Sequence, residues 1–280
     1  MPDTLTLLSP AKLNLFLHIT GRRGDGYHEL QTLFQLLDWG DRLTFTPNSS
    51  GEITLDSDAP DIALEDNLVY RAARLLQREA GATQGVHIGL RKRIPTGGGL
   101  GGGSSNAATT LLALNKLWQL ALEQPRLQAI GAGLGADVPV FVGGRTAWAE
   151  GIGDKLTPVD LPERWYVIIT PPCHVSTGQI FSHLQLTRNT SPIKMATFFE
   201  GYSRNDCQEL VRRLYPDVDA VFTWLEQFAR ARLTGTGASV FADFGTRAQA
   251  EAVVRQLPHQ WNGVSARGLN VSPVAASLLD

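Results

Sequence analysis

Six glycines fall in the seven positions from Gly97 to Gly103, and two hydroxyl residues, Ser104 and Ser105, follow directly. Glycines let backbone N–H groups approach a ligand closely and adopt positive φ. A helix starting just after them would add unpaired N–H donors and a positive dipole end. The stretch Pro95, Thr96, Gly97, Gly98, Gly99, Leu100, Gly101, Gly102, Gly103, Ser104 and Ser105 therefore reads as a phosphate cradle. The plainer alternative is a flexible surface turn, but so many glycines cost heavily in backbone entropy when no ligand repays it. The common cradles do not fit. A Walker A loop ends in Gly-Lys-Ser/Thr, and no lysine stands between Arg93 and Lys116. A dinucleotide fingerprint wants an early βαβ unit and an acidic residue about 20 positions on, for which Glu123 alone is thin support. A protein-kinase loop is followed by a His-Arg-Asp sequence, which the chain lacks.

The elements that must hold this loop can be sketched from periodicity. Lys12 to Ile19 alternates, with Leu13, Leu15, Leu17 and Ile19 on one face and Lys12, Asn14, Phe16 and His18 on the other. That pattern predicts a half-buried strand presenting Lys12 and Asn14 side by side. Short strands follow near 43–45, 53–55 and 86–90. Asp66 caps a helix through Leu68, Val69, Ala72, Leu75 and Leu76, closed by Gly81. A second helix runs through Ala107, Ala108, Leu111, Leu112 and Trp118, with Ser104 or Ser105 as its cap. Beyond 160 the predicted order is a strand at 165–170, helices over 207–229, strands near 231–234 and 238–244, a helix at 246–257 and a strand at 264–272. Strand and helix periods mix in no strict order, which favours an α+β fold over a doubly wound sheet. The change of texture places a boundary between residues 1–160 and 161–280.

Composition excludes several classes. The 280 residues are 43% hydrophobic and 19% charged, as in a globular chain rather than a disordered one. Twenty-five Lys and Arg against 27 Asp and Glu give a net charge of −2, without the basic stripe of a nucleic-acid binder. No apolar run approaches the roughly 20 residues of a membrane helix, and Met1 to Pro10 lacks signal-peptide features. Cys173 and Cys207 are far apart, which predicts free thiols in a reducing cytoplasm. His18, His87, His174, His183 and His259 suggest no metal cluster.

Three ordered motifs carry a resemblance. Ser9-Pro-Ala-Lys-Leu-Asn-Leu15, Pro95 to Ser105 and Thr234-Gly-Thr-Gly-Ala-Ser-Val240 resemble the motifs of the GHMP small-molecule kinases. Gly24-Asp-Gly-Tyr-His-Glu-Leu30, Gly135-Ala-Asp-Val-Pro-Val-Phe141 and Ala149-Glu-Gly-Ile-Gly153 are similar to the branch whose acceptor is 4-diphosphocytidyl-2-C-methyl-D-erythritol, on the non-mevalonate isoprenoid route. Thr96 departs from the methionine common there. The resemblance implies a two-domain GHMP kinase fold, a ribosomal-protein-like first domain and a ferredoxin-like second one, with substrates between them. It also implies ATP as co-substrate, Mg²⁺ held largely by phosphate oxygens and water, small-molecule partners only, and a cytoplasmic enzyme.

Specific roles follow from the same resemblance. Asp137 would receive the hydroxyl proton and Lys12 would pair with it; taken alone, Asp137 reads as a cap or turn aspartate and Lys12 as a solvated edge guard. Asn14 would hydrogen-bond substrate. Tyr27 would stack on a cytosine ring whose edge His28 contacts, with Thr177 and Phe181 as a second wall. Phe181 by itself reads as core, and His28 as an ordinary loop residue. Gly235 and Gly237 would let backbone near the reacting groups, or form a plain hairpin turn. Two rivals stay open: a GHMP kinase with another alcohol acceptor, and a silent homologue that senses sugar nucleotides.

Overall fold

The computed structural model describes residues 4–24, 26–59, 62–201 and 203–279; Asp25, in the fourth of the motifs above, lies outside them. Two long strands dominate the first half: β1 (Leu5–Arg22) and β2 (His28–Asn48). They pair antiparallel along most of their length, with register shifts at Pro10/Lys12, Asn14/Leu17 and Ile19/Gly21. β2 also pairs with β4 (Gly85–Arg91) and β5 (Ala147–Glu150). β3 (Ile53–Ser57) runs parallel to β4, and β6 (Lys155–Pro158) pairs with β5.

β2 was legible only in its last third, as the short strand expected near 43–45. Gly40 marks a close approach of two strands: a Cβ there would lie 1.9 Å from the Ser9 carbonyl oxygen. The expectation of a half-buried β1 also fails. Ser9 to Ile19 is buried throughout, since the face bearing Lys12 and Asn14 is covered by the glycine loop and by the turn that begins at Thr234.

Helices cover the other side. α1 (Leu68–Ala80) turns Val69, Ala72, Ala73 and Leu76 inward and ends at Gly81 in the left-handed conformation. Its cap is Asn67, whose side chain accepts from Val69 N; Asp66 lies in the preceding 3₁₀ turn (Leu64–Asp66). α2 (Gly102–Leu117), α3 (Gln124–Ala132) and α4 (Val138–Gly143) complete this layer over a core that includes Leu43, Phe45, Leu111, Leu114 and Phe141.

In the second half β7 (Trp165–Thr170), β8 (Arg232–Leu233), β9 (Val240–Phe244) and β10 (Asn262–Leu269) form an antiparallel sheet. The intervening helices are α5 (Thr177–Ser182), α6 (Met195–Phe199), α7 (Gln208–Leu214), α8 (Pro216–Leu225) and α9 (Arg247–Val254). β7 is apolar on both faces, as a doubly covered strand must be. Val167 and Ile169 join the core built with α7, α8 and α9; Tyr166 and Ile168 join Leu13, Leu33 and Trp148 of the first half. β10 stitches the sheets together by pairing Gly268 with Leu37 and Leu269 with Leu36. After it the chain returns: α10 (Pro273–Leu279) packs on β1 and α2.

Candidate active site

The third-motif turn folds onto the glycine loop. Ala238 N and Ser239 N donate to the carbonyls of Gly97 (3.3 Å) and Gly98 (3.1 Å). Thr234 Oγ1 donates to Gly99 O (3.2 Å) and accepts from Asn14 N (3.0 Å). Gly99 and Gly101 are among the positions that demand glycine. Gly99 has φ +75°, and a Cβ there would lie 2.3 Å from Thr234 O; Gly101 has φ +73°, and its Cβ would press on Phe141 and on Lys12 Cε. Gly101 is also the cap of α2, so the expectation of a serine cap is corrected. The residue before the helix must turn left-handed, which serine does poorly.

Lys12 occupies the centre. Its Nζ donates to Asn14 Oδ1 (2.5 Å) and Gly99 O (2.9 Å), stands 3.5 Å from Asp137 Oδ2, and lies 5.4 Å from the Phe34 ring centroid. Only 4% of its side chain is exposed. Burying an ammonium is tolerable when it is paired and its donors are used, and here they are. Asn14 is itself held by Nδ2 donation to Thr32 Oγ1 (3.0 Å). Asp137 occupies the cap position of α4, yet its side chain makes no cap hydrogen bond. Its carboxylate is one-third exposed and faces Lys12 instead.

These groups line one cleft of about 600 Å³, the size of ordinary small-molecule sites. Pro95 to Ser104, Asp137, Asn14, Thr177 and Phe181 share it. Ser105 does not: it is fully buried, its hydroxyl 2.8 Å from that of Ser9. Thr177 Oγ1 lies 2.9 Å from Thr236 Oγ1, tying α5 to the third motif. Tyr27 is 60% exposed, and neither it nor His28 lines the cleft. His28 opens β2 and stacks on Phe181, centroids 5.0 Å apart at 30°. Burial, then the charges of Arg188 and Arg22, hold its imidazole below the usual range.

The cleft also contains residues that sequence reasoning missed, among them Asn67, Lys92, Asn106 and Thr236. Behind them Asp41, fully buried, accepts from Lys92 Nζ, Arg93 N (2.6 Å), Ile94 N (2.8 Å) and Asn106 Nδ2 (2.8 Å). An Asp-Phe-Gly triplet, which in protein kinases serves magnesium, does occur at Asp243 to Gly245. Asp243 stands on β9 paired with Arg232 (2.6 Å), away from the cleft. Among the described residues no three His, Cys, Asp or Glu side chains group as metal ligands.

Residues 67–145 match the model of the GHMP kinases N terminal domain and 188–263 that of the GHMP kinases C terminal. A 4-diphosphocytidyl-2-C-methyl-D-erythritol kinase of Hahella chejuensis (strain KCTC 2396) is 54% identical over 287 residues, covering 99% of this chain and 97% of that protein. This chain belongs to that kinase family. A protein of the same name from Pseudomonas paraeruginosa (strain DSM 24068 / PA7) is 55% identical over 272 residues, 97% of this chain and 96% of its own. The crystal structure of a 4-(cytidine 5'-diphospho)-2C-methyl-D-erythritol kinase superposes with a TM-score of 0.84 at 34% identity, covering 94% of this chain and 99% of its own. A homoserine kinase from Cytophaga hutchinsonii, at 17% identity and TM-score 0.65, shares the GHMP kinase fold; it covers 98% of this chain and 97% of its own. The first matched segment takes in the glycine loop and Asp137, whereas Lys12 and Asn14 precede it.

Proposed function

We propose that this family member transfers the γ-phosphoryl group of ATP to the C2 hydroxyl of 4-diphosphocytidyl-2-C-methyl-D-erythritol, in the non-mevalonate isoprenoid route. One observation carries the chemical part: the Lys12 ammonium, buried at the glycine loop, stands 3.5 Å from the Asp137 carboxylate. In the proposed reaction the hydroxyl oxygen bonds to the γ-phosphorus while the bond to the ADP oxygen breaks, and Asp137 takes the hydroxyl proton. Lys12 holds that carboxylate in place from 3.5 Å, and its fixed charge favours the anionic transition state. Asn14, locked by Lys12 and Thr32, positions the acceptor. Backbone N–H groups from Gly97 to Gly103, with the Ser104 hydroxyl, cradle the phosphates. Tyr27, His28, Thr177 and Phe181 serve the cytidine end from the rim.

Mg²⁺ belongs to the proposal. Ser104 and Asp137 are hard-oxygen side chains within the cleft, which suits an ion that keeps most of its shell as phosphate oxygens and water. When bound, it neutralises phosphate charge. A cytoplasmic location is part of the same reading, supported by two free cysteines. Among the described residues no helix is long and apolar enough to cross a membrane.

The decisive experiment is a coupled ADP-release assay with ATP, Mg²⁺ and, separately, the cytidylyl acceptor, homoserine and mevalonate. Turnover of the cytidylyl acceptor alone is expected. Preference for either other alcohol would replace the acceptor, and no ADP from any of them would favour the silent homologue.

A further inference from the structure

Arg188 stands in the segment between α5 and α6 and is not among the residues lining the cleft. Its guanidinium nonetheless makes four hydrogen bonds that converge on the cytidine end. Nη1 donates to Leu186 O (3.1 Å), and Nη2 donates to Phe181 O (2.8 Å) and His183 O (2.7 Å). Nε donates to His28 Nε2 (3.1 Å). The bonds to Phe181 O and His183 O fasten the C-terminal end of α5, the helix that carries Phe181, and the bond to Leu186 O ties down the segment that follows it. The fourth crosses to the first residue of β2, whose ring stacks on Phe181.

The chemistry of that fourth bond is restrictive. A guanidinium has donors only and does not lose its proton in proteins. His28 Nε2 must therefore offer a lone pair. An imidazole with an acceptor at Nε2 is neutral and carries its one proton on Nδ1. We infer that Arg188 is a positioning residue for the acceptor's base, fixing His28 as the Nδ1–H tautomer and holding the Phe181 wall in register with it. The inference rests on the cytidylyl acceptor proposed above. Burial of His28 and the nearby charge of Arg22 favour the same neutral ring. With Nε2 engaged, the ring meets a ligand through Nδ1 as a donor, which suits the lone pairs on a cytosine edge. Lysine could not replace this arginine, because one ammonium cannot span an imidazole and three carbonyls in the guanidinium's planar fork.

The test uses the full chain labelled with ¹⁵N-histidine, the His28 signals being assigned by their loss in His28→Gln. Wild-type His28 should show a protonated, pyrrole-type Nδ1 and a pyridine-type Nε2. In Arg188→Met the two forms should interconvert. The same variant should raise KM for the cytidylyl acceptor roughly tenfold, the lower end of the weight of one hydrogen bond to a charged group, with KM for ATP unchanged. A wild-type His28 protonated on Nε2 overturns the inference whatever the variant does. So does a folded Arg188→Met enzyme whose acceptor KM is unaltered. Should the variant fail to fold, Arg188→Gln takes its place and the wild-type spectrum still decides the tautomer. If the wild-type enzyme ignores the cytidylyl acceptor, the acceptor reading is what fails, and the tautomer stands or falls on the spectrum alone.

Discussion

Asp137 and Lys12 form a unit, and their substitutions should reveal it. Asp137→Asn keeps shape and polarity but removes the proton acceptor, so kcat should fall by roughly 10²–10⁴ in a folded enzyme. Lys12→Met should be comparably impaired, and the double variant should lose less than the product of the two, since both act on one developing charge. Steady-state kinetics with circular dichroism as a fold control checks this; an Asp137→Asn kcat near wild type would remove it from the base role. At the same scale, burial pushes the Cys207 thiol up to about 12; burial and then the charge of Asp217 raise Cys173 too, but it is only half-buried and reachable from solvent. An alkylating reagent at neutral pH should accordingly mark Cys173 and spare Cys207, because the thiolate is the reactive form; mass spectrometry reads the outcome. These residue identities were legible in the sequence because motif and chemistry agree on them. Arg188 and Asp41 were not, since the His28 partner of Arg188 is 160 positions away and the partners of Asp41 more than 50, and nothing local distinguishes either side chain.

Elements position these groups through two devices. The first is the left-handed loop: Gly101→Val would place a branched side chain at φ +73° against Phe141 and Lys12, displacing the loop and the lysine together. Calorimetry should find ATP binding abolished; unchanged affinity would sink the cradle assignment. The second is the buried Asp41 carboxylate, which gathers the chain leading into the loop and the first turns of α2 around one anion. Asp41→Ala leaves two backbone N–H groups, an amide and the Lys92 ammonium without their partner. Breaking such a buried pair costs about 3 kcal/mol or more, so the urea midpoint should fall clearly, with nucleotide affinity falling alongside it. Strand and helix periods gave away β7, α1, α2, α8 and α9, where one pattern runs without interruption. They failed where tertiary contacts override local signals. Gly40 lies inside β2 at a close approach of two strands, and a polar strand face that looked solvated is roofed by the glycine loop and the third motif. α10 went unread because its seven residues carry no distinctive period.

For the whole molecule, the proposed acceptor has its reacting hydroxyl at Lys12 and Asp137 and its base at the rim. Losing the base should therefore weaken alignment as well as binding. Methylerythritol 4-phosphate without the cytidylyl group should be a very poor acceptor, and Tyr27→Ala should raise KM for the full acceptor while ATP binding holds, since stacking on a base is worth about 1–3 kcal/mol. Equal turnover of the truncated compound would remove the cytidine site from the proposal. We propose a division between the halves near residue 160, between β6 and β7, across which β10 and a mixed core join the two sheets. The return of the chain has a consequence in time. Thr146 N donates to Asn270 O, Ser272 N donates to Gly144 O, and Lys116 Nζ donates to Leu278 O. The first half is thus closed by residues the ribosome makes about 120 positions after β5, roughly 6–24 s later at ordinary synthesis rates. Throughout that interval the nascent first half exposes the face of β1 and α2 that α10 will cover.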